Sequence, residues 1–200
     1  MALYGVMEQE IDANFDVTSA ARVDKVAVAV LHRYHGVMLN SFTPLCSTGK
    51  GNCCFRAISL ALFGTESPHD YFRLQTAFEI IENRAFYDVR SKEFLGGRRE
   101  ERVETPTYRE VISDVTVLGT PVSLIHPYGI SAAFGIPIQS YIPPTPSVGL
   151  GLSPYTVKVV GRNIRQQKDV RMTVMWTPAL MPRADEPLVA NHIVLLAQRR

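Results

Sequence analysis

Lys50-Gly51-Asn52-Cys53-Cys54-Phe55-Arg56-Ala57-Ile58 is the stretch on which the reading of this chain turns. A Gly-Asn pair in a loop runs straight into an apolar segment, Cys53 to Phe63, which stops at Gly64 as a buried helix with a glycine just past its end does. A cysteine in the first turn of such a helix gains two things that a thiol nucleophile needs. The partial positive charge of the helix N-terminus favours the thiolate, and the unpaired N–H groups of the loop and first turn face a developing oxyanion. Cys54 lies about 100° further round the helix, so the two sulfurs have different surroundings. Adjacency to Gly-Asn assigns Cys53 as nucleophile, Asn52 to the loop and oxyanion region, and Cys54 to the packed face beside Ile58. Two small buried hydrophobes are the competing reading of the same pair.

Upstream, Ala20, Val23, Val26, Ala27, Val30, Leu31 and Tyr34 keep helical spacing, which predicts a helix over Ser19 to Tyr34, capped by Thr18 or Ser19 and stopped by Gly36. Asn40 to Asn52 is rich in Ser, Thr, Pro, Gly and Asn and reads as loop. Downstream, Ser67-Pro68 opens a helix reaching Asn83, with Tyr71, Phe72, Leu74, Ala77, Phe78 and Ile81 as its inner side. Further helices follow at Ala85 to Phe94 and from Thr105-Pro106-Thr107 to Leu118, with Gly119 as stop. Gly96 to Arg102 mixes charge signs as a solvated loop does. Then the pattern shortens. Ile136 to Ile142, Tyr155 to Val160, Met172 to Trp176 and His192 to Ala197 read as strands between Pro- and Gly-rich turns, with Pro143 to Pro154 a long surface loop. Helices early and strands late make an α+β fold, a mostly antiparallel sheet covered by helices. The chain reads as one domain over residues 1–200, with 1–39 an N-terminal helical extension and 40–200 the core.

The 200 residues are 46% hydrophobic and carry a net charge of +2, with no basic field of the kind that nucleic acid or a membrane surface attracts. The first residues lack the basic-then-apolar order of a secretory signal, and the longest apolar run, Val26 to Leu31, is far too short to span a bilayer. Three cysteines cannot all pair, so a reducing intracellular compartment, cytoplasm or nucleus, is expected. Gly49-Lys50 lacks the flanking residues of a phosphate-binding loop, and Cys46, Cys53 and Cys54 lack zinc-ligand spacing, so neither a cofactor nor a metal is expected.

A thiol enzyme needs a base. Of the five histidines, His32 and His35 sit near a helix end, His69 in a first helical turn, and His126 before Pro127 in a loop. His192 alone opens a rigid apolar strand that would fix its imidazole. With both residues in view, Gly51 to Ala57 and the following Ser59 to Phe63 resemble the Asp-Gly-Asn-Cys-Leu-Phe-Arg-Ala signature of the ovarian-tumour (OTU) cysteine peptidases. Leu62-Phe63-Gly64, Val174-Met175-Trp176 and the closing His192 strand are most similar to the OTU-like domain of vertnin-type proteins. The resemblance implies a papain-like α+β fold, Cys53 as nucleophile, His192 as base and hydrolysis of ubiquitin or ubiquitin-like conjugates. A catalytically weak OTU-like interaction module is the alternative. Two departures bear on it. Lys50 replaces the Asp of the loop that shapes the oxyanion hole, and the residue on His192's own strand face is the apolar Val194. The orienting partner must then come from elsewhere, with Asn40 or a loop carboxylate such as Asp185 as candidates.

Overall fold

The structure, a computed structural model, describes residues 23–93, 106–144, 156–164, 172–181, 183 and 189–199. The helices are α1 (Lys25–Tyr34), α2 (Met38–Ser41), α3 (Cys53–Phe63), α4 (His69–Glu82), α5 (Arg84–Glu93), α6 (Tyr108–Thr116) and α7 (Ile125–Phe134). The strands are β1 (Phe42–Leu45), β2 (Ile138–Tyr141), β3 (Val157–Val159), β4 (Met172–Thr177) and β5 (His192–Gln198). They form one sheet in the order β1-β5-β4-β2-β3, antiparallel except where β2 runs beside β4. The fold is α+β, a mostly antiparallel sheet covered by helices.

Helices cover both faces of the sheet, which is why β5 reads as an unbroken apolar run. Ile193 and Leu195 join Val174 and Trp176 in the larger core, against α3, α4 and α7. Val194 and Leu196 turn the other way, with Met175 and Tyr141, onto Ala27 and Leu31 of α1. Residues 23–39, set apart by the sequence pattern as an extension, therefore cover the second face.

Several elements differ from the sequence reading for identifiable reasons. Helix α1 starts at Lys25 with Asp24 as its N-cap, where Asp24 Oδ1 accepts from the Ala27 N–H at 2.8 Å. The expected caps Thr18 and Ser19 lie outside the described residues. The segment 42–45, expected as loop, is the edge strand β1, where Pro44 is tolerated because an edge leaves half its backbone groups unpaired. Helix α7 was not expected, and His126 lies in its first turn instead of a loop. Ile125 through Ala132 are all buried, and a helix covered all round carries no amphipathic period to read.

Helix α4 buries a different side from the one its apolar residues suggest. Phe72, Arg73, Thr76, Ala77 and Ile80 face inward, while Tyr71, Leu74, Phe78 and Ile81 are exposed. Two contacts turn the helix this way. Arg73 is drawn inside by four backbone carbonyls, and Thr76 and Ile80 lie against Gly129 of α7, where an added Cβ would meet Ile80 at 2.9 Å.

His126 is wholly buried. Its Nδ1 accepts from the Ser123 N–H at 2.9 Å and its Nε2 meets the Val111 carbonyl at 3.0 Å. Burial pushes its pKa down to about 4, from the 6.5 of a free imidazole, despite opposing hydrogen bonds from Val111 and Ser123. The unfolded chain therefore takes up a proton that the folded one refuses, so stability is full above pH 6.5 and falls as the pH drops toward 4. Urea melts at pH 6.5 and pH 5 are expected to differ by about 2 kcal/mol through this group, and His126→Gln should remove most of the difference.

Candidate active site

Helix α3 begins at Cys53 out of a sharply turned loop. Lys50 and Gly51 adopt φ values of 60° and 75°, both left-handed. Asn52 occupies the N-cap position, yet its side chain does not cap the helix. Its Oδ1 accepts from the Gly119 N–H at 3.2 Å, which leaves the N–H groups of the first turn directed at the space beside Cys53. Asn52 thus shapes the loop through its side chain.

The loop is held by backbone contact with residues 117–120. A Cβ on Gly51 would stand 1.8 Å from the Gly119 carbonyl oxygen, so only glycine permits this approach. Arg73 fastens the two segments from below. Its Nη2 donates to the carbonyls of Gly51 (2.9 Å) and Thr120 (2.7 Å), its Nη1 to those of Asp114 (2.6 Å) and Val117 (2.8 Å), and its guanidinium stacks 4.6 Å over the Phe55 ring. Nothing in the spacing of apolar residues announces a buried arginine.

The Cys53 sulfur faces three backbone N–H groups, those of Ile193, Cys54 and Cys53 itself. Burial pushes its thiol pKa up, and these N–H groups together with the Arg73 guanidinium oppose the rise without cancelling it. The helix terminus alone does not make a resting thiolate, contrary to the sequence expectation, because desolvation outweighs it. Cys54 is fully buried, and its thiol is pushed far up by burial, with Cys53 adding to the rise.

His192, the first residue of β5, is 8% exposed, and its neighbour Ile193 presents its N–H to the Cys53 sulfur. Beyond the end of β1, the Ile193 carbonyl accepts from the Ser47 hydroxyl. The His192 Nε2 points toward Asp24, with 4.0 Å to Oδ2. Burial holds the imidazole below its ordinary pKa, while the Asp24 and Glu66 carboxylates pull it upward. With Nε2 turned to an acid, the neutral ring keeps its proton on Nε2 and leaves Nδ1 free to accept one.

Asp24 is the residue that the sequence reading missed. One carboxylate oxygen caps α1 and the other faces His192. Its backbone N–H donates to the Pro44 carbonyl at 3.0 Å, which pins the start of α1 to the outer edge of β1. Its preference for N-cap positions was the available signal. Asn40 is exposed in α2, and because Phe42 pairs with Gln198 it lies beyond the end of β5 opposite His192. Asn191 is spent on the β4–β5 connection, accepting from the Ala179 N–H at 2.8 Å. Asp185 lies outside the described residues. Val194 is fully buried in the α1-facing core.

Glu66 closes the rim. It accepts from the Thr48 N–H at 2.8 Å and pairs with Arg56 at 3.0 Å, and although burial raises its pKa these partners leave it below the usual range. Cys46 is an exposed free thiol, raised by burial and then by the nearby Asp24 and Glu66. Among the described residues no cluster of three or more His, Cys, Asp or Glu side chains is arranged to hold a metal, and no helix is long and apolar enough to cross a membrane.

The fold is that of OTU domains. The family model described as "Vertnin, OTU domain" matches residues 44–95, the span that holds the Cys53 loop and α3. Among solved structures, the chain is similar to the OTU domain of OTUD1, with a TM-score of 0.54 and 15% identity over 86% of this chain and 95% of that one. The viral OTU domain protease from Dera Ghazi Khan virus gives a TM-score of 0.52 and 16% identity over 82% and 85% of the two chains. A chain of a ceOTUB1, ubiquitin aldehyde and UBC13~Ub complex gives 0.51 and 13% identity over 98% of both. A search of curated proteins finds no match.

Proposed function

We propose that this chain is an OTU-type thiol-dependent isopeptidase that hydrolyses ubiquitin or ubiquitin-like conjugates. The observation that supports it best is the meeting of three segments: Cys53 at the start of α3 with N–H groups around its sulfur, His192 next to the residue that faces that sulfur, and Asp24 behind the imidazole. In this mechanism His192 Nδ1 takes the Cys53 proton as the sulfur attacks the isopeptide carbonyl carbon. First-turn N–H groups receive the oxyanion. The C–N bond then breaks, and the lysine amine leaves with the proton held by His192. Water attacks the resulting thioester, giving up its proton to His192, and the released sulfur recovers a proton as the carboxylate departs. Asp24 stabilises the imidazolium throughout. The residues need no cofactor for this sequence.

Ubiquitin as partner rests on the family resemblance and on the ubiquitin aldehyde in the complex named above. Free thiols at Cys46, Cys53 and Cys54 suit a reducing compartment, cytoplasm or nucleus. A second reading, an OTU-like interaction module, draws on the raised Cys53 thiol, the 4.0 Å gap between His192 and Asp24, and Lys50 in the Asp position of the signature. Hydrolysis of a fluorogenic ubiquitin substrate separates the two. Turnover by wild type, with Cys53→Ala and His192→Ala at background, is the expected result, and a wild type no faster than Cys53→Ala would transfer the chain to the second reading.

A further inference from the structure

Thr177, the last residue of β4, pairs directly with His192 across the antiparallel β4–β5 ladder. Residues so paired project from the same face of the sheet with Cβ atoms about 4.5 to 5.5 Å apart. Thr177 is fully buried, and its hydroxyl oxygen has no hydrogen-bond partner. An unpaired buried hydroxyl is costly, and a valine of the same shape would avoid the cost. The imidazole beside it has an unmade contact of its own, since 4.0 Å from Nε2 to Asp24 Oδ2 is too long for a hydrogen bond. Asp24 is tied to β1 on one side of β5, and Thr177 stands in β4 on the other. The ring is therefore bracketed by two polar groups.

We propose that Thr177 is a positioning residue for His192, its hydroxyl accepting, jointly with Asp24, the Nε2–H of the imidazolium that forms when Cys53 gives up its proton. A hydroxyl fits this task because it carries no charge to desolvate. The hydroxyl is partnerless in the resting arrangement, and protonation at Nδ1 makes the Nε2–H a stronger, charge-assisted donor that draws it in. The charged groups acting on the imidazole are Asp24 from the start of α1 and Glu66 from the segment after α3. Thr177 adds a neutral acceptor from β4. The inference rests on His192 as the proton carrier of the proposed hydrolase, but its test does not depend on turnover.

The experiment follows the His192 ring resonances against pH by NMR in wild type, Thr177→Val and Thr177→Ser, with thermal melts of each. Thr177→Val is expected to melt at or above wild type while His192 binds its proton about fivefold more weakly, and Thr177→Ser to restore the wild-type titration. Should valine fail to melt cooperatively, Thr177→Ala carries the same titration. A His192 titration unchanged by loss of the hydroxyl, or a serine variant that behaves as valine does, would overturn the proposal. Absent hydrolysis with the titration shift intact would count against the isopeptidase reading and leave the role of Thr177 standing.

Discussion

Asp24→Asn is expected to leave stability within about 0.5 kcal/mol of wild type while lowering turnover of a ubiquitin substrate by about 100-fold or more. The two effects separate because the carboxylate has two oxygens with two jobs. Oδ1 caps α1 at Ala27 and Oδ2 faces His192. Asparagine is an equally good cap, but its single oxygen is then committed to the Ala27 N–H and its amino group is presented to Nε2. That favours the tautomer with the proton on Nδ1, where it blocks acceptance from Cys53. Asp24→Ala should lose the cap as well, costing about 1 kcal/mol beside a comparable loss of rate. Urea melts and steady-state kinetics on both variants check this. An asparagine variant that keeps the wild-type rate would remove Asp24 from the machinery.

Gly51→Ala should be the most damaging single methyl in the described structure. Its φ of 75° is unfavourable for any residue with a Cβ, and that Cβ would stand 1.8 Å from the Gly119 carbonyl oxygen and 2.2 Å from its carbon. Both obstacles are backbone, so the 117–120 segment must separate from the Cys53 loop. That separation loosens the Arg73 and Asn52 ties that span the seam. Backbone strain and overpacking together are expected to cost about 3 to 5 kcal/mol and to disperse the oxyanion donors. Gly49→Ala is the matched control, because a Cβ there meets nothing within 4 Å and should cost less than about 0.5 kcal/mol. Equal melting midpoints for the two variants would show that the seam bears no load.

How much of this was legible in the sequence depends on the range of the forces involved. Helix α3 could be read to its ends, from Cys53 to the glycine at Gly64, because loop chemistry, an apolar run and a left-handed stop are local signals. His192 at the head of an apolar strand was legible for the same reason. Asp24 was not, because its role exists only once α1 lies across β1 and β5, elements far apart in the chain. The face of α4 was misread because Arg73 is buried by four carbonyl acceptors that no hydrophobic count anticipates. Helix α7 was hidden by being apolar on every side, and β1 by Pro44 and the loop-like residues around it. Val194 looked like a gap where an orienting group should be. It is part of the packing beneath α1, the helix that brings Asp24 to His192.

In the proposed mechanism Cys53, and not its neighbour, is the nucleophile, and His192 serves it. Reaction with ubiquitin bearing a C-terminal electrophile tests it most directly, by mass spectrometry of wild type, Cys53→Ala, Cys54→Ala and His192→Ala. A single adduct on wild type, abolished in Cys53→Ala, retained in a thermally weakened Cys54→Ala and slowed in His192→Ala, is the predicted result. An adduct that survives Cys53→Ala, or none on a folded wild type, would contradict it.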